Sequence, residues 1–235
     1  MNVNINSLNC LITSGGTRIP IDSVRSITNM SSGTFGSKIA ESFLDAGCKV
    51  RFFHAKNSKK PKPEYGGKYS SKEFDTFEDY ANGLNKLIQE NNPDIIVLCA
   101  AVSDYKIDNS FDGKIDSSDD LTIKLTPTPK IIKYVRDLSP SSLICGFKLL
   151  VDSSPELMRQ KISDSLISNR CDIIVGNDLS EIKRGNHTLT TAKRSYGRYN
   201  PKDHTSEHIV FSTYHQMPHV KLSDFVTFEC LNMFM

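Results

Sequence analysis

The N-terminal part of the chain gathers residue types suited to holding an anion. The apolar run LNCLITSGG ends in the pair Gly15 and Gly16, and a second small-residue cluster, Ser31-Ser32-Gly33-Thr34 with Gly36, follows. Backbone N–H groups at such turns can approach a phosphate closely, and a helix beginning there adds its positive end. Between the clusters lies a polar segment carrying Arg18, Asp22, Arg25 and Asn29, a supply of fixed cationic and amide groups. A tight turn explains Gly15 or Gly36 singly as well as function does. The cluster together with Arg18, Arg25 and Asn29 favours a phosphate-handling site.

Four later stretches carry comparable chemistry. In LCAAVSDYKID (98–108), Ala100 and Ala101 would let a ligand lie against the backbone. Asp104 is placed to meet a ribose hydroxyl or a metal, and equally to cap a helix. In FDGKIDSSDDLTIKL (111–125), Lys114 sits on a flexible loop. It could neutralise charge on a leaving pyrophosphate, although a lone surface lysine is commonly just solvated. In ICGFKLLVD (144–152), Phe147 could border a base, with core packing as its default, and Lys148 could face the same crevice. In VGNDLS (175–180), Asn177 and Asp178 read first as caps of the next turn. No Ser/His/Asp or Cys/His nucleophile set appears. The histidines at 54, 187, 204, 208, 215 and 219 have no zinc-site spacing. His204 and His208 are four apart, but Pro201 and polar surroundings argue against a metal-binding helix.

These residues need a scaffold, and the hydrophobic pattern supplies one. Apolar runs of strand length fall at 10–13, 49–53, 94–101, 143–149, 172–175 and 208–213. Several are continuous rather than alternating, as in strands covered on both faces. Between them, Phe35, Ile39, Phe43 and Ala46 share one helical face before Gly47, which reads as a C-cap. Tyr80, Leu84, Leu87 and Ile88 mark a second helix over 77–90, and Met158, Ile162 and Leu166 a third after Pro155. Leu222, Phe225, Val226 and Leu231 suggest a closing helix. The alternation predicts a doubly wound α/β fold with a mostly parallel sheet, a Rossmann-like three-layer sandwich. Residues 56–72, rich in Lys, Pro, Gly and Ser, read as a solvated loop, and 181–207 as a polar arm or hairpin.

At 235 residues with a formal net charge of +2, the chain fits one domain and gives no electrostatic reason for a nucleic-acid partner. No apolar run is long enough to span a membrane and MNVNINS lacks signal-peptide character, so a cytoplasmic protein is expected. The six cysteines form no Cys-x-x-Cys pair and read as reduced core residues.

Taken in order, SGGTRIPIDSVRSITNMSSGTFG, AAVSDY, the GKI loop, TPKII, GFKLL and GNDLS resemble the phosphopantothenoylcysteine synthetase family, in its stand-alone form, over roughly residues 10 to 180. The resemblance implies a ligase in coenzyme A biosynthesis. A nucleoside triphosphate, CTP in preference to ATP, activates the carboxylate of 4′-phosphopantothenate, and the amine of L-cysteine attacks the acyl-nucleotide. It implies Mg²⁺ carried mostly by the nucleotide, and a homodimer whose active site draws on both subunits. By motif position, Asn29 holds the acyl-nucleotide, Arg25 acts beside it, and Lys114 is the flap lysine. Asp104 lies by the ribose, Phe147 near the base, and Gly15, Gly16, Ser31, Ser32 and Gly33 form phosphate-facing turns. Here Lys114 is followed by Ile115-Asp116-Ser117-Ser118, where many bacterial relatives carry further lysines, so flap charge is reduced. The rival readings are an NADP- or flavin-dependent oxidoreductase on the same kind of sheet, or a non-catalytic nucleotide-binding module. The run 49–53 leads into His54-Ala55-Lys56, not the acidic residue that would hold an NAD ribose.

Overall fold

The structure, a computed structural model, describes residues 4–108, 111–116, 120–195, 209–217 and 219–234. In chain order the elements are β1 (Asn9–Ser14), β2 (Arg18–Pro20), β3 (Ser26–Thr28), α1 (Thr34–Asp45), β4 (Lys49–Ala55), β5 (Tyr69–Phe74) and α2 (Phe77–Asn91). They continue with β6 (Ile95–Leu98), β7 (Tyr105–Lys106), β8 (Thr126–Pro127), α3 (Ile132–Leu138), β9 (Leu143–Leu150) and α4 (Pro155–Ser168). The last are β10 (Ile173–Asp178), α5 (Leu179–Lys183), β11 (Thr188–Arg194), β12 (Ile209–His215) and α6 (Leu222–Asn232).

Eight strands form one sheet in the order β12-β11-β10-β9-β6-β1-β4-β5. The pairs from β10 to β5 are all parallel, while β11 and β12 add an antiparallel edge. Strand order reverses at β1, which has β4 on one side and β6 on the other. This is the topological switch point of a doubly wound sheet, and the strand ends there open a crevice. The expected Rossmann-like sandwich is therefore the observed fold.

Helices cover both faces. Ile39 and Phe43 of α1 and Leu222, Val226 and Cys230 of α6 pack with Cys10, Ile12, Cys145, Ile173 and Val175 on one side. Tyr80, Leu84 and Ile88 of α2, Val135 of α3 and Ile162 and Leu166 of α4 pack with Leu11, Ile96, Ile144 and Ile174 on the other. The two lists alternate along β1, β9 and β10, as a pleated strand buried on both faces requires. Cys99 is half-buried and the other cysteines are buried, all as free thiols; burial pushes the Cys99 thiol up to about 12.

Differences from expectation lie at the margins. Ala46 is exposed, and the inner face of α1 is completed by Ala40 and Leu44. Residues 56–72 are not only loop: a 3₁₀ turn over Pro63–Lys68 leads into β5, which pairs with β4 along one edge only. Four successive β5 residues are exposed, so neither apolar alternation nor a hydrophobic run announces the strand. Of the stretch 181–207, Thr188–Arg194 is β11, antiparallel between β10 and β12. Residues 196–208, with Arg198, Pro201, His204 and His208, lie outside the described residues.

Candidate active site at the switch point of the sheet

The crevice is closed at its base by backbone pairing between the ends of β1 and β6. Gly16 bridges Ala101; Ala101 N–H donates to the Gly15 carbonyl at 2.7 Å, and Thr17 N–H to the Ala101 carbonyl at 3.3 Å. Asn29 reaches the same point: its Nδ2 donates to the Ala101 carbonyl at 2.9 Å while the side chain stays exposed. Gly16, Asn29 and Ala101 thus meet at the switch point. Ala100 N–H lies beside them, held by Thr13 Oγ1 at 3.2 Å.

A chain of buried hydroxyls lies beneath this point. Thr17 Oγ1 donates to Ser103 Oγ at 2.9 Å and accepts from Ser103 N–H at 2.8 Å, and Thr128 Oγ1 donates to the Ser103 carbonyl at 2.7 Å. These three residues tie the strand ends to the loop that carries Asp104. Asp104 caps no helix: it precedes the short strand β7, and its carboxylate makes an exposed ion pair with Lys130. Thr17, Ser103, Thr128 and Lys130 all fall within the runs SGGTRIP, AAVSDY and TPKII, but sequence reasoning assigned none of them a role, because isolated hydroxyls and a lone lysine carry no pattern of their own.

The glycine turns serve packing as well as approach. Gly33 has a φ of +73° and stands immediately before α1; a Cβ there would come within 2.6 Å of Ser58 Cβ. Gly15, at φ +85°, faces the same serine. The turn after β4 is therefore pressed onto both glycines, and Lys59 N–H donates to the Ser32 carbonyl at 2.9 Å. Ser31 N–H donates to the Asn29 carbonyl at 2.8 Å, so Ser31 offers its hydroxyl rather than its amide. Ser32 Oγ lies 2.9 Å from Thr34 Oγ1 at the start of α1.

Beside these turns opens a pocket of about 520 Å³, lined in part by Ser32, Thr34, Phe35, Lys38, Asn177 and His187. Asn177 belongs to this pocket, while the capping expected of the Asn177-Asp178 pair is done by Asp178 alone. Burial works to raise the Asp178 carboxyl. The donors of Ser153, Glu181 and Ser180 outweigh it and hold the group down at about 2. Phe147 stands behind the wall, its ring edge-on to Phe35 at 6.0 Å. Lys148 is half-buried and, one residue on in β9, belongs to the opposite face of the sheet from Phe147.

The polar arm holds the second cluster. The Asp22 carboxylate is covered and pairs with Arg25 Nη1 at 2.7 Å. Burial works to raise the Asp22 carboxyl, but N–H donors from Val24, Ile115 and Arg25, with the Arg25 charge, bring it below its ordinary value. Arg25 also donates to the Ile115 carbonyl at 3.2 Å, which draws the exposed Lys114 loop against the hairpin of β2 and β3. Arg18 instead pairs with Asp75 at the start of α2. Ser117 and Ser118 lie outside the described residues.

Fold and site together define an α/β protein of the Rossmann type with a crevice at the switch point of its parallel sheet. The chain belongs to the family described as the DNA/pantothenate metabolism flavoprotein C-terminal domain, which matches residues 5–209. It is 32% identical over 192 residues to the coenzyme A biosynthesis bifunctional protein CoaBC of Thermococcus kodakarensis, covering 82% of this chain and 46% of that protein. The chain therefore spans less than half the length of that relative. It is 29% identical to the phosphopantothenate–cysteine ligase of Mus musculus, covering 74% of this chain and 73% of that one. The DNA/pantothenate metabolism flavoprotein of Streptococcus pneumoniae superposes with a TM-score of 0.79 at 28% identity, covering 97% and 98% of the two chains.

Proposed function

We propose that the chain is a phosphopantothenate–cysteine ligase in coenzyme A biosynthesis. The observation that carries this reading is the amide of Asn29 fixed on the Ala101 carbonyl at the switch point, in a chain of this family. A carboxylate oxygen of 4′-phosphopantothenate attacks the α-phosphorus of a nucleoside triphosphate, and pyrophosphate leaves with the bonding electrons. The amine of L-cysteine then attacks the acyl carbon and the nucleoside monophosphate departs. Both steps develop charge on oxygen, and their main need is positioned donors rather than a protein nucleophile.

Asn29 keeps a second amide N–H and its carbonyl oxygen for the acyl-nucleotide. More than a third of the Arg25 side chain remains exposed, so it can serve the pantothenate end while holding the Lys114 loop. Lys114 would meet the triphosphate, Asp104 the ribose, and the turns at Gly15, Gly16, Ser31, Ser32 and Gly33 the phosphates. The pocket bounded by Phe35 and Asn177 suits the rest of the nucleotide, with Phe147 supporting its wall. Lys148, on the far face of β9, is the residue of the set with least support. Among the described residues no three His, Cys, Asp or Glu side chains converge on a cation. Mg²⁺ is proposed to arrive on the triphosphate, and no step is assigned to an ion held by the protein.

CTP is proposed over ATP as co-substrate. A homodimer is proposed because the hairpin arm leaves Val24 at 66% and Met30 at 96% exposure, an apolar edge that a second copy would cover. No helix among the described residues is long and apolar enough to cross a membrane. The test is pyrophosphate release with CTP or ATP, phosphopantothenate and cysteine, with NADPH binding as a control. Cysteine-dependent amide product supports the reading; tight NADPH binding without product overturns it.

A further inference from the structure

We propose that Asp22 is a positioning residue for Lys114: its carboxylate fixes the lysine loop to the hairpin arm, one oxygen for each side of the joint. Oδ1 accepts from Val24 N–H at 2.9 Å and Arg25 N–H at 2.7 Å, shaping the turn between β2 and β3. Oδ2 accepts from Arg25 Nη1 at 2.7 Å and from Ile115 N–H at 3.1 Å, across 93 residues of sequence. The side chain is wholly covered, so water does not compete for these donors.

Three further bonds complete the joint. Arg25 Nη1 donates to the Ile115 carbonyl at 3.2 Å, Ser23 N–H to the Gly113 carbonyl at 3.0 Å, and Phe111 N–H to the Ile21 carbonyl at 2.9 Å. The peptide groups on both sides of Lys114 are thereby held, while its own side chain projects into solvent. A cation on an untethered loop samples many positions; one between two anchored residues samples few, which is the condition for acting on a developing charge without reorganisation. The reduced number of lysines in this loop makes the placement of this one matter more.

The inference rests on the ligase reading only for what Lys114 does once positioned. Its sharpest probe is Asp22→Asn with the amide oxygen kept toward the turn. The Oδ1 side then survives, while the amide NH₂ confronts the N–H of Ile115 and the guanidinium of Arg25, donor against donor. Limited trypsinolysis reads the joint without any activity, because the Lys114–Ile115 bond is itself a cleavage site. We expect Asp22→Asn to speed cleavage there about ten- to hundredfold, the change in open population that loss of a charged hydrogen bond allows. Cleavage elsewhere should stay near wild type, and the melting temperature should fall by about 3–6 °C, the same fold-change spread over the unfolding entropy of the whole chain.

Unchanged cleavage at Lys114 overturns the proposal, whatever the enzyme does. In wild-type protein, hydrogen exchange should show the Ile115 amide protected; exchange at the rate of free chain would also overturn it, and needs no variant to fold. For the chemistry, Asp22→Asn and Lys114→Gln should each lower kcat, with the loss in the double variant smaller than the product of the two and the remainder passing through Arg25, which Asp22 also holds. Multiplying effects would assign Asp22 a role separate from the lysine and overturn the proposal. Wild-type protein that makes no amide product would sink the ligase reading and leave the cleavage result to judge the joint.

Discussion

Replacing Asn29 by alanine should separate function from stability by a wide margin. The substitution removes the amide that donates to the Ala101 carbonyl at 2.9 Å, and Asn29 is exposed. Water can take over the carbonyl, so the loss is that of one neutral bond, about 0.5–1.5 kcal/mol. An unfolding entropy of ~2.1 cal/mol/K per residue gives a chain of 235 residues about 0.5 kcal/mol/K, so melting should drop by only about 1–3 °C. The catalytic loss is of another order. A preorganised donor aimed at charge developing on an acyl-transfer centre is worth about 10²–10³ in kcat. Scanning calorimetry and steady-state pyrophosphate release on the same preparation give both numbers. The Thr17–Ser103–Thr128 hydroxyls lie below this point and are untouched, so the backbone pairing of Gly16 and Ala101 should persist. A loss in kcat below threefold would remove Asn29 from the mechanism. A melting drop above about 5 °C would show that the side chain supports the fold and that the activity loss is secondary.

Lys114→Gln should slow turnover at least tenfold, with melting within about a degree of wild type because the side chain supports no core; unchanged kcat would end its flap role. Arg136→Ala should be the severe structural variant. Its guanidinium is 4% exposed and pairs with the buried Asp172 at 2.6 Å. Leaving that carboxylate uncompensated costs about 3–5 kcal/mol, or about 6–10 °C for a chain of this size; a drop under 2 °C by calorimetry would refute the estimate. Asp178, held at about 2 against an ordinary 3.8, contributes stability that is fully present above pH 3.8. That contribution fades as pH falls toward 2. The melting temperature of Asp178→Asn should therefore lie below wild type at pH 6 and converge with it near pH 2, and parallel curves would contradict the assignment.

How much of this was legible in the sequence depends on how many partners an element has. The core strands β1, β4, β6, β9 and β10 are flanked on both edges and both faces, so their residues must be apolar and the runs announce themselves. β5 has one neighbour and four exposed residues, so it is written in residues that also suit loops. β11 has two neighbours but is written mostly in threonines and basic residues, whereas the outermost strand β12 was announced by the run at 208–213. The 7-residue α3 is too short for a period to emerge. The hairpin β2–β3 was visible only as a polar segment, because its order comes from Asp22 reaching Ile115, a contact no local pattern encodes.

The misplaced emphasis on Asn177 and Asp178 shows what kind of information was lacking. Either residue can cap a turn, and local propensity does not choose between them. The pleat does. Ile173 and Val175 pack toward α1 and α6, and Ile174 toward α4. Asn177 has the parity of the first pair and so enters the pocket beside Phe35; Asp178 has the parity of Ile174 and meets Ser153 ahead of α4. The same parity divides Phe147 from Lys148 along β9, where Cys145 faces α1 and α6 and Ile144 the other layer. Once a single residue of a buried strand is assigned to a helix layer, every later residue follows by alternation. Within the pleated part of such a strand adjacent side chains face different helix layers, and of the pair Asn177 and Asp178 only Asn177 lines the pocket.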